Sequence, residues 1–371
     1  MADRGELARN RVGQVLREKL TLEAVIGVGG MATVYAATHR NGKRVAVKML
    51  HPELSADADA KARFLREGYA ANTIGHPGCV SVTDDDVAED GSVFVVMELL
   101  EGETLSNRAE RAGGRLPSSE VVHWTLLLLD VLAAAHDKGV IHRDLKPENI
   151  FVTKENAIKV LDFGIARTRA TSQAKLTVTG SVMGTPAFMP PEQALAKWDL
   201  VDGRSDLWAV GATMFFLLTG RLVHEEDALT ALLIAISTKP VVPIASVLPT
   251  IPPALAAIVD RALALDRERR FPDARAMQAA LREAVATSPE LLPSLVIVPA
   301  TPGTRATTLE QMHGETLSSS PSLTPSLPEI VAKPQEQVET LLASGGTLAQ
   351  KPKRPILPAI IAGVLALGIL I

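Results

Sequence analysis

His142-Arg143-Asp144-Leu145-Lys146-Pro147-Glu148-Asn149 is a polar octet clamped between two apolar runs, Gly139-Val140-Ile141 and Ile150-Phe151-Val152. Such a segment reads as a rigid loop between short strands. It places a carboxylate, an ammonium and a carboxamide within a few residues of one another. A second carboxylate follows in Asp162-Phe163-Gly164, again after a strand-like run, Ile158-Lys159-Val160-Leu161. Asp144, Asn149 and Asp162 form a set of hard oxygen donors suited to magnesium, which prefers carboxylate, carbonyl and phosphate oxygens.

Working outward, the 371 residues leave room for a two-lobed catalytic domain and further segments. A net charge of −4 speaks against a nucleic-acid partner, which would call for a broad basic face. The single cysteine, Cys79, excludes an internal disulfide framework and a cysteine-based zinc site, and reads as a small buried apolar residue. Residues 1–19 are charged and have no apolar core, so no cleavable secretory signal is expected; they read as a flexible or loosely helical leader.

From Leu20 a strand-like run leads into Gly27-Val28-Gly29-Gly30-Met31-Ala32-Thr33-Val34-Tyr35. Glycines there let backbone N–H groups approach phosphate oxygens, although a glycine-rich turn alone could be a plain hairpin. A second strand follows, then a turn at Asn41-Gly42, then Val45-Ala46-Val47-Lys48 alternating as a strand. Residues 57–74 carry a helical pattern with Phe64, Leu65 and Ile74 on one side, broken by His76-Pro77-Gly78. Val80 to Asp86 and Val93 to Glu98 read as an antiparallel pair. Ser118-Ser119-Glu120 reads as the cap of a long buried helix running from Val121 to Lys138, ending at Gly139.

Taken together in this order, the glycine-rich turn, Lys48, Glu67, the octet and Asp162-Phe163-Gly164 resemble a eukaryotic-type (Hanks-type) serine/threonine protein kinase of bacteria. The resemblance covers about residues 20–285 and implies an α+β bilobal fold. A small lobe would hold a five-stranded antiparallel sheet and one major helix, and a larger lobe would be mainly helical. It implies transfer of the γ-phosphoryl of ATP to Ser or Thr hydroxyls of protein substrates, with Mg2+ as cofactor and Mn2+ as the alternative metal. Asp144 would orient the substrate hydroxyl, Lys146 would reach the γ-phosphate, Asn149 and Asp162 would hold the metal, and Lys48 would pair with Glu67. Glu53 is a weaker competitor for that pairing. The nucleotide would lie against Ile26, Gly27, Val28, Gly29, Gly30, Met31, Ala32, Thr33 and Val34. Met97 would gate the pocket, and Glu98 to Leu100 would offer backbone to the adenine edge. Ala32 stands where the family has a third glycine, and Pro190 where it has alanine.

Lys146, and Gly184-Thr185-Pro186, resemble Ser/Thr rather than tyrosine kinases, with Thr185 expected to bond Asp144 and Lys146. Glu192 would pair with Arg270 (Arg269 being the alternative), and Asp206 would cap the catalytic loop. Between Gly164 and Gly184 the resemblance places an activation segment whose autophosphorylation sites would be Thr177 and Thr179, with Thr168, Thr171, Ser172 and Ser181 as competitors. Phosphate there would give Arg143 an anion to clamp. Residues 286–355, dense in Pro, Ser, Thr and Gly, read as a disordered juxtamembrane linker. Ile356 to Ile371 is an apolar run preceded by Lys351, Lys353 and Arg354. It is short for a membrane helix, which takes about 20 residues. It reads as a brief anchor or the start of a longer span, with a packed soluble tail as the alternative; the flanking charges put the kinase domain on the cytoplasmic face of the membrane. Rival readings are a silent nucleotide-binding module, a sensing receptor and a small-molecule phosphotransferase. Homodimers occur among related kinases, and the sequence offers no test of one here.

Overall fold

The computed structural model describes residues 4–163 and 186–292. The small lobe is a single antiparallel sheet made of β1 (Val15–Leu16), β2 (Leu20–Val28), β3 (Ala32–His39), β4 (Arg44–Leu50), β5 (Val82–Val87) and β6 (Val93–Glu98), in the order β1-β2-β3-β4-β6-β5. Successive side chains of a strand face opposite ways, and in β4 both sets are covered. Val45, Val47 and Met49 join Leu22, Tyr35 and Phe94 on one face. Leu50 joins Phe64, Val93 and Val95 on the other. Lys48 shares the parity of Leu50, and so faces the side that carries the long helix.

The sheet therefore has six strands, where five were expected, and the leader is not loose. Residues Arg4–Arg9 form helix α1, and Leu16, 2% exposed, packs with Ala8 against Leu20, Leu22 and Phe94. The charges that made this stretch look solvated are spent on partners: Arg11 binds Asp90 and Ser92, and Arg17 pairs with Asp86 at 3.4 Å. Without the leader, the sheet face lined by Leu22 and Phe94 would meet water.

Helix α2 (Ala58–Ile74) starts at Asp57, whose carboxylate accepts the N–H of Asp59, and stops at Gly75 in the left-handed conformation (φ 69°). Ala60, Phe64, Ala70 and Ile74 form its buried stripe. In the large lobe, α3 (Leu105–Arg111) is capped by Thr104, and α4 (Ser118–Asp137) is the central helix. Ser118 and Ser119 lie inside α4; the residue before it is Pro117, and no side chain caps its first turn. By length and composition α4 is the one helix among the described residues apolar enough to cross a membrane. Its residues Val121, Leu128, Leu129, Val131 and Leu132 are instead fully buried in the lobe's core. Against it pack α5 (Gly203–Thr219) and α8 (Ala274–Thr287); α7 (Pro253–Ala262) packs in turn on those two, and α6 (Leu229–Thr238) lies beside the short helix Pro191–Ala194. A methyl at Gly211 would come within 2.8 Å of Ala262, so glycine is what lets α5 and α7 approach. Leu291, just past α8, is also fully buried. A small sheet of β7 (Gly102–Thr104), β8 (Ile150–Thr153) and β9 (Ile158–Val160) floors the cleft between the lobes.

Candidate active site

The octet is a loop leading through one 3-10 turn into β8, and its shape is imposed from α5. Asp206, 1% exposed, accepts the backbone N–H groups of His142 and Arg143, each at 2.9 Å, and lies 2.8 Å from His136 Nε2. Arg143 has φ 66°, a left-handed conformation uncommon for any residue but glycine; the two charge-assisted bonds that Asp206 accepts hold it there. Burial pushes the Asp206 carboxyl up, but His136, His142 and the Arg143 N–H outweigh it and hold the group below the usual range.

His142 extends the frame. Its Nε2 is 3.0 Å from Leu161 O, its Nδ1 faces the Asp144 N–H at 3.3 Å, and its ring packs on buried Phe163 at 4.8 Å between centroids. Nε2 thus serves as the donor to the Leu161 carbonyl, and Nδ1 as the acceptor of the Asp144 N–H. Asn149 Nδ2 donates to Asp144 O at 2.7 Å, which turns the carboxamide oxygen elsewhere, and Leu161 N–H donates to Asn149 O at 2.9 Å. Asn149 and Asp162 thus sit on adjoining stretches of chain. Lys146 Nζ lies 3.8 Å from Asp144 Oδ2.

Across the cleft, Lys48 Nζ meets Asp162 Oδ1 at 2.5 Å. The resemblance pairs Lys48 with Glu67; in this structure the ion pair is with Asp162, whose backbone is also left-handed (φ 50°). Burial pushes Lys48 down, while Asp162 first and Glu67 second more than compensate and raise it. Burial likewise pushes Asp162 up, and Lys48 holds it below the usual range. Protein surrounds Asp162 on several sides, yet its side chain keeps 59% of its accessible surface, so this pair lies at the floor of an open cleft.

Of the other expected nucleotide residues, Ile26 and Val28 are exposed on β2, 55% and 45%, while Ala32 and Thr33 are buried on β3. Gly27 and Val34 are paired across β2 and β3. Met97 packs beside Leu50 and Phe64. Glu98 does more than lend backbone: its carboxylate accepts from Lys159 Nζ at 2.6 Å and from Ser81 N–H at 2.7 Å, tying the inter-lobe connection to β9. Leu100 is half-buried.

Further out, Glu192 and Arg270 form a two-pronged ion pair (2.8 and 3.0 Å), with Ser205 Oγ also donating to Glu192 at 2.6 Å. Thr177, Thr179 and Thr185 lie outside the described residues. The sequence reading missed His136 and Lys159, because nothing local marks a contact that joins residues 70 and 61 positions apart.

Among the described residues no group of three or more His, Cys, Asp or Glu side chains is gathered to hold a metal alone. Asn149 and Asp162 offer two hard oxygen donors, which suits a divalent ion completed by water and phosphate oxygens.

A family model described as the protein kinase domain matches residues 20–282. The chain is 41% identical over 266 residues to serine/threonine-protein kinase Pkn1 of Myxococcus xanthus, covering 70% of this chain and 37% of that one. It is 38% identical over 283 residues to serine/threonine-protein kinase PksC of Streptomyces coelicolor, covering 74% and 50%. The chain thus spans half or less of the length of these two curated relatives. Among solved structures it is similar to the Mycobacterium tuberculosis PknI kinase domain, with TM-score 0.56, 26% identity, and coverage of 74% of this chain and 98% of that one. The apo form of PpkA-294, at 22% identity and TM-score 0.61, shares the fold. The chain belongs to the protein kinase family, in its bacterial eukaryotic-type (Hanks-type) serine/threonine branch.

Proposed function

We propose that this chain transfers the γ-phosphoryl of ATP to Ser and Thr hydroxyls of proteins. The observation that carries this reading is one loop that holds Asp144, Lys146 and Asn149 in fixed relation, beside Asp162, which Lys48 meets from the small lobe. Phosphoryl transfer asks a protein mainly for positioning and charge neutralisation, a division of labour general to protein kinases. Asp144 accepts the proton of the incoming hydroxyl. Lys146, beside it, places a cation where charge develops on the transferred group. Asn149 and Asp162 would hold a divalent ion, which would screen the phosphate charges; Mg2+ is the expected ion and Mn2+ the alternative. Lys48 offers its ammonium to the nucleotide phosphates, with Glu67 nearby to favour its charge.

The test is ATP-dependent phosphate incorporation by the full chain, wild type beside Asp144→Asn, with sites mapped by mass spectrometry. Label on Thr177 or Thr179 that vanishes in the variant is the expected result, and it carries the autophosphorylation reading as well. Nucleotide binding without any label in the wild type would sink the proposal. The run Ile356 to Ile371, after Lys351, Lys353 and Arg354, supports attachment to the cytoplasmic membrane with the kinase domain on the cytoplasmic side. A chain that leaves the membrane fraction in a high-salt wash alone would refute that attachment.

A further inference from the structure

The glycine-rich turn between β2 and β3 is held from outside by its carbonyl groups. His51 Nε2 lies 2.9 Å from Gly29 O, and the His51 backbone N–H donates to Met31 O at 2.9 Å. Between these two, Arg4 Nη1 donates to Gly30 O at 2.9 Å, while Arg4 Nη2 binds Glu53 Oε1 at 3.0 Å. Three consecutive carbonyls, those of Gly29, Gly30 and Met31, are therefore anchored to protein. A trans peptide unit is planar, with C=O and N–H antiparallel. Anchoring the carbonyl of one residue thus fixes where the N–H of the next one points. The N–H groups of Gly30, Met31 and Ala32 are the ones set in this way. Glycine brings no side chain to hold a turn and many backbone conformations to lose, so the anchors have to come from elsewhere.

We propose that Arg4 is a positioning residue for the phosphate-binding turn. With His51 and Glu53 it forms a brace that orients the N–H groups offered to the phosphates of a nucleoside triphosphate. The inference rests on the kinase reading and extends the nucleotide site to residues that precede the family-matched stretch 20–282. Arg4 is delivered by α1, which is itself fixed to the sheet through buried Ala8 and, just beyond its end, through Arg11 on Asp90 and Ser92. A guanidinium fork reaches a carbonyl and a carboxylate at once, which the single ammonium of lysine does poorly. Arg4 and Glu53 are 49% and 54% exposed, so their ion pair adds little to fold stability. Its consequence is orientation of the turn.

The experiment uses the full chain and a fluorescent ATP analogue with Mg2+, and compares wild type with Arg4→Ala, Arg4→Lys, Glu53→Gln and, as control, Arg17→Ala in the β1–β2 turn at the opposite end of β2. Arg4→Ala is expected to weaken analogue binding about 3- to 10-fold, the range of one net hydrogen bond at an exposed site. Arg4→Lys recovers part of the loss, Glu53→Gln reproduces part of it, and Arg17→Ala leaves affinity unchanged. In turnover the defect falls on KM for ATP and spares kcat, and melting temperatures stay within about 2 °C of wild type. Wild-type affinity in Arg4→Ala, or an equal loss in Arg17→Ala, overturns the proposal. A wild type that binds the analogue but transfers no phosphate removes the kinase reading, and the affinities alone still decide the brace.

Discussion

Replacing Arg270 by Ala tests how the large lobe is held together. Its guanidinium side chain is 0% exposed and that of Glu192 6%. Besides its two bonds to Glu192, Arg270 donates to Ala264 O at 2.9 Å, Arg204 O at 3.2 Å and Leu265 O at 3.3 Å, and lies over the Trp208 ring at 5.0 Å. Removing one partner of a buried pair leaves an uncompensated charge and costs roughly 3–5 kcal/mol. For a domain of this size that corresponds to a fall in melting temperature of roughly 5–10 °C. The pH dependence gives a second signature. In the wild type, burial pushes Glu192 up but Arg270 and Ser205 bring it below its ordinary 4.5. Its contribution is therefore complete above the unfolded value and is lost as pH falls through the lower folded one. In Arg270→Ala burial, the largest cause, is opposed only by Ser205 and the residue's own backbone N–H, so the folded value is expected to move above the unfolded one. The variant then regains stability as pH falls from 7 toward 4.5, and its deficit shrinks. Thermal melts at pH 7 and pH 5 measure both effects, and Arg270→Lys, which keeps the charge without the fork, should fall between. A deficit below about 2 °C, or one that grows in acid, would refute the reasoning.

Two further outcomes follow from the same contacts. Asp206→Asn turns one acceptor oxygen into an amide donor facing the His142 and Arg143 N–H groups; displacement of the catalytic loop by even an ångström costs about 10²-fold in turnover, and a kcat within twofold of wild type would show that the loop holds its shape without this carboxylate. Leu16→Asp places a charge where 2% of the residue is exposed; losing that burial alone costs roughly 1.5–3 kcal/mol, and a melt indistinguishable from wild type would restore the view of residues 4–19 as a loose leader.

The elements most legible in the sequence were those whose signals are local. The 57–74 helix declared itself through its apolar spacing and the His76-Pro77-Gly78 break, and β4 through alternation around Lys48. The octet was legible because polar residues between apolar runs have few other uses. The leader misled because its apolar positions, Ala8 and Leu16, are sparse and its charges abundant; only the sheet supplies their partners. The cap of α4 misled for a similar reason, since serine suits both an N-cap and a first turn, and Pro117, with its fixed φ, ends the preceding turn one residue earlier than the serines suggest. His51, His136, Lys159 and Arg4 carry no motif at all. Each matters through long-range bonds to backbone or carboxylate groups, and such bonds are set by tertiary packing.

The ion pairs themselves sort by burial. Glu192–Arg270 is sealed, with every remaining polar atom of the guanidinium satisfied by backbone carbonyls, so exchanging either partner would strand a charge in the interior. Asp206 is sealed in the same way under the catalytic loop, between His136 and two backbone N–H groups. Lys48–Asp162 differs. Its carboxylate side chain is 59% exposed at the cleft, so water, a metal ion or phosphate oxygens can replace either partner without stranding a charge. A network with sealed pairs beneath and one open pair at the cleft keeps the loop's shape fixed while leaving the charges that face the ligand free to change partners. That division accounts for Lys48 meeting Asp162 in this structure although Glu67 also favours its charge: two carboxylates compete for one ammonium, and the more exposed of the two is the one a divalent ion can take.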